Sequence, residues 1–258
     1  MVVAELIDGC QLKCALCPNR FREQSMNQMP LSIVENVLKK YPSRWIDWFN
    51  WGEPLLHKEF SSISKAVDHT PSRVSTNLSH QMTDEQFLAL NRFRVVLVSL
   101  SGMTEDVYGI YHCGGSFGLV KHNLDRLIRS RRKKTIINWL SHKFNREQDS
   151  VCREFCEKQG LVFNLTPLVC TVQEQIGGFD NELLQEPKLK NTGRSGCRML
   201  NWPTIGVDGS YLLCCASQNV KIGPTIEDDL SQEEMVSLKK KTGVCMTCHQ
   251  YEFWRMYN

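Results

Sequence analysis

Short apolar runs alternating with helical patterns through the first 165 residues predict an α/β chain built as a partial (β/α)6 TIM-like barrel. Three features carry that expectation. The run 95–100, Val-Val-Leu-Val-Ser-Leu, is almost wholly apolar, as a parallel strand covered on both faces requires. About six strand candidates are spaced as in parallel βαβ units. Beyond residue 170 the alternation stops, and five of the twelve cysteines follow, so a small cysteine-rich extension completes the chain. The expected division is a barrel over 1–190 and an extension over 191–258.

In order, 2–7 is a strand that leads straight into Cys10, and 30–38 has helical apolar spacing with Pro30 at its start. The aromatic-rich segment 45–51 is a second strand, with Trp45, Trp48 and Trp51 as packing residues and Trp51 near the site. It ends at Gly52-Glu53-Pro54. A helix is expected over 60–67, and 73–77 is a short strand that runs into a polar turn. Thr83-Asp84-Glu85-Gln86 has capping-box chemistry before Phe87, Leu88 and Leu90. After 95–100, a helix over 119–128, a strand over 135–140, a helix over 151–158 and a strand over 161–165 follow. Residues 171–195 are polar, with Gly177-Gly178 and Pro187, and form a linker or crossover. Asp208-Gly209 between two apolar runs of 204–213 is a hairpin signal, and Cys245-Met246-Thr247-Cys248 is placed at a helix start.

Composition bounds the function. The 258 residues, 41% apolar, suffice for one large core with an appendage. A net charge of +3, from 31 basic and 28 acidic residues, argues for neither nucleic acid nor a membrane surface. No apolar run approaches the roughly eighteen residues that cross a bilayer. Residues 1–8 lack a basic leader and are broken by Glu5 and Asp8, so they are not read as a secretory signal. A cytoplasmic protein is expected, with its clustered cysteines acting as ligands rather than as a disulfide framework.

Cys10, Cys14 and Cys17 place three thiols within eight residues. Thiolates select zinc, copper(I) or an iron–sulfur cluster, and a closed site normally takes four. Three leave a coordination position open for a reactant. With the segments that follow the next three strands, this triplet resembles the signature of the radical S-adenosylmethionine (radical SAM) enzymes. Trp51-Gly52-Glu53-Pro54-Leu55 is similar to the family's Gly-Glu-Pro motif, which binds the methionyl amine of SAM. Val74-Ser75-Thr76-Asn77 resembles its Thr-Asn turn, and Val98-Ser99-Leu100-Ser101-Gly102 its ribose-contacting strand end. The late cysteines, with a final Cys-x-x-Cys, resemble the "twitch" or shortened SPASM extension that carries an auxiliary cluster.

The resemblance implies a [4Fe-4S] cluster on Cys10, Cys14 and Cys17 whose open iron chelates SAM, and reductive cleavage to a 5′-deoxyadenosyl radical that abstracts a substrate hydrogen atom. It implies cofactor contacts at Gly52, Glu53, Pro54, Ser75, Asn77, Ser99, Ser101 and His112. It implies a second, auxiliary [4Fe-4S] cluster on Cys197, Cys214, Cys245 and Cys248, with Cys215 as an alternative to Cys214. A reductase such as flavodoxin or ferredoxin would supply electrons. Two positions depart from the family pattern: Ala15 stands where an aromatic residue is common, and His112 occupies the place of an arginine that pairs with the SAM carboxylate.

Duller readings stand beside these. Four late thiolates suit a structural zinc as they suit a cluster. Cys152 and Cys156, one helical turn apart, and Cys170 read as core thiols. Cys113, between His112 and two glycines, is a candidate hydrogen donor. The basic run 129–134 reads as a solvated helix end, with contact to a phosphate as the sharper alternative. The favoured reaction is oxidation of a small polar substrate, a sugar or cyclitol alcohol, with the auxiliary cluster as electron acceptor. The alternatives are a radical epimerase using Cys113, Cys170 or Cys215, a peptide-modifying maturase, and a non-enzymatic metal-binding module.

Overall fold

The computed structural model describes residues 1–21, 25–130, 133–168, 197–215 and 217–244. Six strands follow one another in the order expected: β1 (Val2–Ala4), β2 (Ile46–Asp47), β3 (Ser72–Thr76), β4 (Val95–Leu100), β5 (Lys134–Ser141) and β6 (Val162–Pro167). Each pairs in parallel with the next. The connections carry α1 (Leu31–Lys40), α2 (Phe60–Ala66), α3 (Asp84–Leu90), α4 (Glu105–Tyr111), α5 (Phe117–Ser130) and α6 (Asp149–Lys158). The sheet is open, so the barrel is partial.

Side-chain alternation shows how the sheet divides inside from outside. In β3 Ser72, Val74 and Thr76 are buried while Arg73 and Ser75 are half-buried; in β5 the half-buried positions are Ile136, Asn138 and Leu140. The buried set belongs to one core with Val34, Val37, Ile63, Leu90, Leu124 and Leu127 from the helices. The other set lines the concave face. There Arg73 forms an ion pair with Asp47, and Asn138 Oδ1 accepts from Asn164 Nδ2 (2.7 Å) and Thr166 Oγ1 (2.8 Å). A cavity of 570 Å³ lies against these strands, with Asn50, Trp51, Trp202 and Cys215 also on its walls.

The late segment adds to this sheet. β7 (Thr204–Ile205) pairs in parallel with β1, and β8 (Ser210–Cys214) returns antiparallel through the Asp208-Gly209 turn, where Gly209 takes φ +82°. β9 (Ser217–Thr225) pairs with β8, and α7 (Gln232–Lys241) follows. The order of the nine described strands is β6-β5-β4-β3-β2-β1-β7-β8-β9.

The expected strand over 45–51 is only Ile46–Asp47, and that over 2–7 stops at Ala4. In both, the chain leaves the ladder early to build the loops at the sheet's carboxyl end. Trp48 is fully buried as a packing residue. The helix over 119–128 extends to Phe117–Ser130. No helix among the described residues is long and apolar enough to cross a membrane.

Candidate active site

The carboxyl ends of parallel barrel strands are where loops gather into a site. The loop after β1 carries Cys10, Cys14 and Cys17, turned by bonds from Cys17 N to Cys14 O (3.1 Å) and from Arg20 N to Cys17 O (3.0 Å). It is strapped at both ends. Glu53 N donates to Gly9 O at 2.9 Å, while Lys13 N and Ala15 N donate to Cys113 O (3.0 Å) and Tyr111 O (2.8 Å). The loops after β1, β2 and β4 are therefore joined by main-chain hydrogen bonds.

Glu53 is the centre of that arrangement. Its side chain is 2% exposed. Oε2 accepts from Asn77 N at 2.8 Å and Oε1 from Leu55 N at 3.2 Å. Burial pushes its pKa up to about 7 against the opposing pull of these donors and of Thr76. Asn77 in turn places Nδ2 3.7 Å from Cys10 Sγ, and its Oδ1 accepts from Gln11 Nε2 at 2.9 Å. Glycine is required beside it: a Cβ on Gly52 would lie 1.8 Å from Ile7 O.

The thiols are half-exposed and unbridged. Burial pushes Cys10 up to about 12 and raises Cys14 further; Cys17 adds to both shifts, and Cys10 and Cys113 add to that of Cys14. Thiols that raise one another's pKa in this way are near neighbours. Among the described residues, no three His, Cys, Asp or Glu side chains are drawn into one metal-holding group as placed. The donor set fits an iron–sulfur cluster nonetheless: three soft ligands on a strapped loop, with no fourth within the loop.

The other expected contacts divide in two. Ser75 and Ser99 lie half-buried on the concave face, and Pro54 is buried at the start of a short 3-10 turn. Ser101 is fully buried with its Oγ 2.6 Å from His112 Nδ1. His112 stacks on Tyr108 at 4.5 Å, and burial lowers its pKa to about 3. A neutral imidazole held in this way does not supply the positive charge of an arginine. Cys113 Sγ lies 3.9 Å from Arg20 Nη1, and Cys113 packs against the small cluster of Ala15 and Tyr111 beside Cys14.

Of the late ligands, Cys197 precedes a 3-10 turn (Arg198–Asn201) and Cys214 ends β8, which packs on that turn. Cys215 Sγ lies 3.5 Å from Met199 Sδ. Cys245, Cys248 and Cys170 lie outside the described residues. Cys152 and Cys156 are buried in the core, as their helical spacing suggests.

Three supporting residues carry no motif that the sequence reading used. Asn19 Nδ2 donates to Asp8 O (3.1 Å) and Trp51 O (2.9 Å), Glu5 Oε1 accepts from Trp51 N (3.0 Å), and Gln11 holds Asn77. A carboxylate inside an apolar strand run was the available signal for Glu5.

Comparison with known proteins bears on the fold. No protein-family model matches the chain. A curated "Probable GTP 3′,8-cyclase" of Methanocella arvoryzae is 30% identical over 126 residues, which are 46% of this chain and 40% of that protein. The matched stretch thus spans about two fifths of the relative. Among solved structures, Streptococcus suis SuiB bound to S-adenosylmethionine superposes with TM-score 0.70 at 17% identity, covering 97% of this chain and 71% of its own. The anSMEcpe complex with AdoMet and the Cp18Cys peptide gives 0.69 at 16% identity over 93% and 81%, and BtrN with AdoMet and 2-DOIA gives 0.54 at 16% over 93% and 85%. These neighbours are radical SAM enzymes, and the expected resemblance and the partial α/β barrel are both borne out as fold.

Proposed function

We propose that this chain, which shares the fold of the radical SAM enzymes, is itself one: it binds SAM at the Cys10, Cys14 and Cys17 loop and uses it to take a hydrogen atom from a substrate in the concave cavity. The observation that carries this reading is Glu53, whose backbone holds the cysteine loop while its carboxylate holds Asn77 beside Cys10. A lone Gly-Glu-Pro is a turn; one bonded to both neighbouring motif loops is a built site. The strapped loop orients the three thiols.

The finer reading is oxidation of a small polar substrate, with an auxiliary [4Fe-4S] cluster on Cys197, Cys214, Cys245 and Cys248 taking the second electron. The Asp47–Arg73 pair and Asn50, Asn138 and Asn164 give the cavity polar groups suited to a polyhydroxylated ligand. A second reading, modification of a peptide, is favoured by the neighbours solved with peptides, SuiB with SuiA and anSMEcpe with Cp18Cys. In an epimerase, Cys113 beside Cys14 would return the hydrogen atom.

Anaerobic reconstitution followed by reduction with SAM should release 5′-deoxyadenosine, and none should form with Cys14→Ala; release that persists in that variant would sink the proposal. Iron counting tests the second cluster, since about eight irons per chain are expected and zinc at the late site would end the electron-acceptor role. Product made in deuterium oxide then separates a carbonyl from a deuterated epimer.

A further inference from the structure

The three clustered thiols belong to the loop after β1, and the fold brings a fourth to them from just beyond α4. Two main-chain bonds hold it there. Lys13 N donates to Cys113 O (3.0 Å) and Ala15 N to Tyr111 O (2.8 Å), so the segment around Cys113 runs alongside the segment that carries Cys14. Gly114 then turns the chain away at φ +83°, a left-handed conformation that suits glycine.

The side chains meet as the main chains do. Cys14 and Cys113 pack against the same two buried residues, Ala15 and Tyr111. The Tyr111 hydroxyl is raised in pKa first by burial and then by Cys14, Cys17 and Cys113, which places all three sulfurs near one ring. Arg20, on the 3-10 turn Pro18–Phe21 that follows Cys17, brings Nη1 to 3.9 Å from Cys113 Sγ. A guanidinium beside a sulfur favours the thiolate, which is the form that ligates metal. As a thiol, Cys113 donates to Ile110 O at 3.7 Å, a weak bond that ligation would forgo at small cost.

We propose that Cys113 is a reversible fourth ligand of the cluster site: its thiolate closes the coordination position that Cys10, Cys14 and Cys17 leave open, until SAM displaces it. The inference rests on the reading of the triplet as a site for a cluster and SAM. Three thiolates leave one iron of a cubane exposed to oxidants, and a fourth removes that weak point. On ligation the Cys113 thiol gives its proton to solvent as the sulfur–iron bond forms. On SAM binding that bond breaks, the methionyl amine and carboxylate take the iron, and the thiolate recovers a proton. A thiol released at that moment is compatible with hydrogen return in an epimerase.

Alkylation of the full chain with iodoacetamide, read cysteine by cysteine by mass spectrometry, tests this without any variant. Cys113 should react about tenfold more slowly after anaerobic cluster reconstitution, and saturating SAM should restore the faster rate. Reaction at the cluster-free rate overturns the proposal, and protection that survives SAM overturns the exchange. Ferricyanide gives a second readout, spectroscopic rather than catalytic. It takes one electron from a cubane with an exposed iron, which leaves as Fe(II), and the remaining three-iron cluster is detected by electron paramagnetic resonance. Without SAM the parent chain should give little of that signal. Cys113→Ala should lose about one iron of the four at this site, and Cys113→Ser, a poorer ligand, should fall between. Equal three-iron signals from the parent and Cys113→Ala overturn the proposal. If Cys14→Ala leaves the iron content of the reconstituted chain unchanged, the cluster reading itself fails and this proposal falls with it; iron held there with Cys113 unprotected overturns the fourth ligand alone.

Discussion

Gly52 has no room for a methyl group, because its Cβ would stand 1.8 Å from the Ile7 carbonyl oxygen. Neither atom belongs to a flexible side chain, so Gly52→Ala must displace the loop after β2 from β1. A cost of about 2–3 kcal/mol is expected, as for overpacking in a core. Gly109 is the contrast. It lies within α4 with nothing within 4 Å of its would-be Cβ, so Gly109→Ala should gain up to about 1 kcal/mol from helix propensity. Denaturant unfolding of both variants checks the pair; a neutral Gly52→Ala would mean that the loop is not strapped as described. His112 sets a pH dependence. The unfolded chain takes up a proton at the ordinary histidine value of 6.5, which the folded chain refuses until about pH 3. Stability therefore falls as pH drops through that window, by up to about 1.4 kcal/mol per pH unit from this group. His142, also lowered by burial, adds to the slope. His112→Gln keeps a polar partner for Ser101 and should flatten the unfolding free energy between pH 6.5 and 4. A slope equal to that of the parent chain would show that the imidazole is not held neutral.

At the scale of elements, legibility followed locality. The capping box at Thr83 and Gln86 and the Asp208-Gly209 turn are short-range chemistry, and both are present. The strand 95–100 was legible from its apolar run, but the expected cover on both faces is not what forms: Val96, Val98 and Leu100 are buried, while Leu97 and Ser99 are half-buried on the concave face. The span 45–51 misled because aromatic residues pack as well in a loop under a sheet as in the sheet itself; Trp48 is buried outside any strand. β9 was hidden by Pro224 and by polar residues, which an edge strand tolerates. α7 was missed although Ser231 and Glu234 form the capping box that their spacing allows. In the site, the motif residues were legible, while Asn19 and Gln11, which hold main-chain and side-chain groups of other loops, were not. Non-local hydrogen bonds leave no spacing to read. α7 also holds the turn that follows Cys197: Lys239 is fully buried and its Nζ donates to Met199 O (3.0 Å) and Trp202 O (2.7 Å). Lys239→Met keeps the volume but strands two carbonyls, at a cost of about 1–3 kcal/mol each. Amide hydrogen exchange at Leu200 and Trp202 should accelerate. Unchanged protection at both amides would mean that Lys239 does not hold the turn.

For the whole molecule the question is whether the late segment is an appendage or part of the core. The polar stretch after residue 170 suggests a boundary near 190, yet β7 pairs directly with β1, the strand that feeds the cysteine loop. Val3 N donates to Pro203 O and Glu5 N to Ile205 O, both at 2.9 Å. Ile205, Tyr211, Leu213, Ile222, Ile226 and Met235 belong to the same buried cluster as Val2, Ala4 and Leu6. At roughly 1.5–3 kcal/mol for each large side chain, losing six such contributions removes about 9–18 kcal/mol, comparable with the whole stability of a domain. A chain ending at residue 190 would also expose β1 as an unpaired edge beside the site, an invitation to aggregation. It should therefore give no cooperative melt and collect in the insoluble fraction, whereas the full chain should unfold in one transition seen alike by far-ultraviolet dichroism and tryptophan fluorescence. A soluble 1–190 chain with its own cooperative transition would show that the barrel stands alone and that β7 merely docks on it. The single-core outcome ties the two cysteine groups together mechanically, because a shift of β7 against β1 would be felt at Glu5, which holds Trp51, the residue before Gly52.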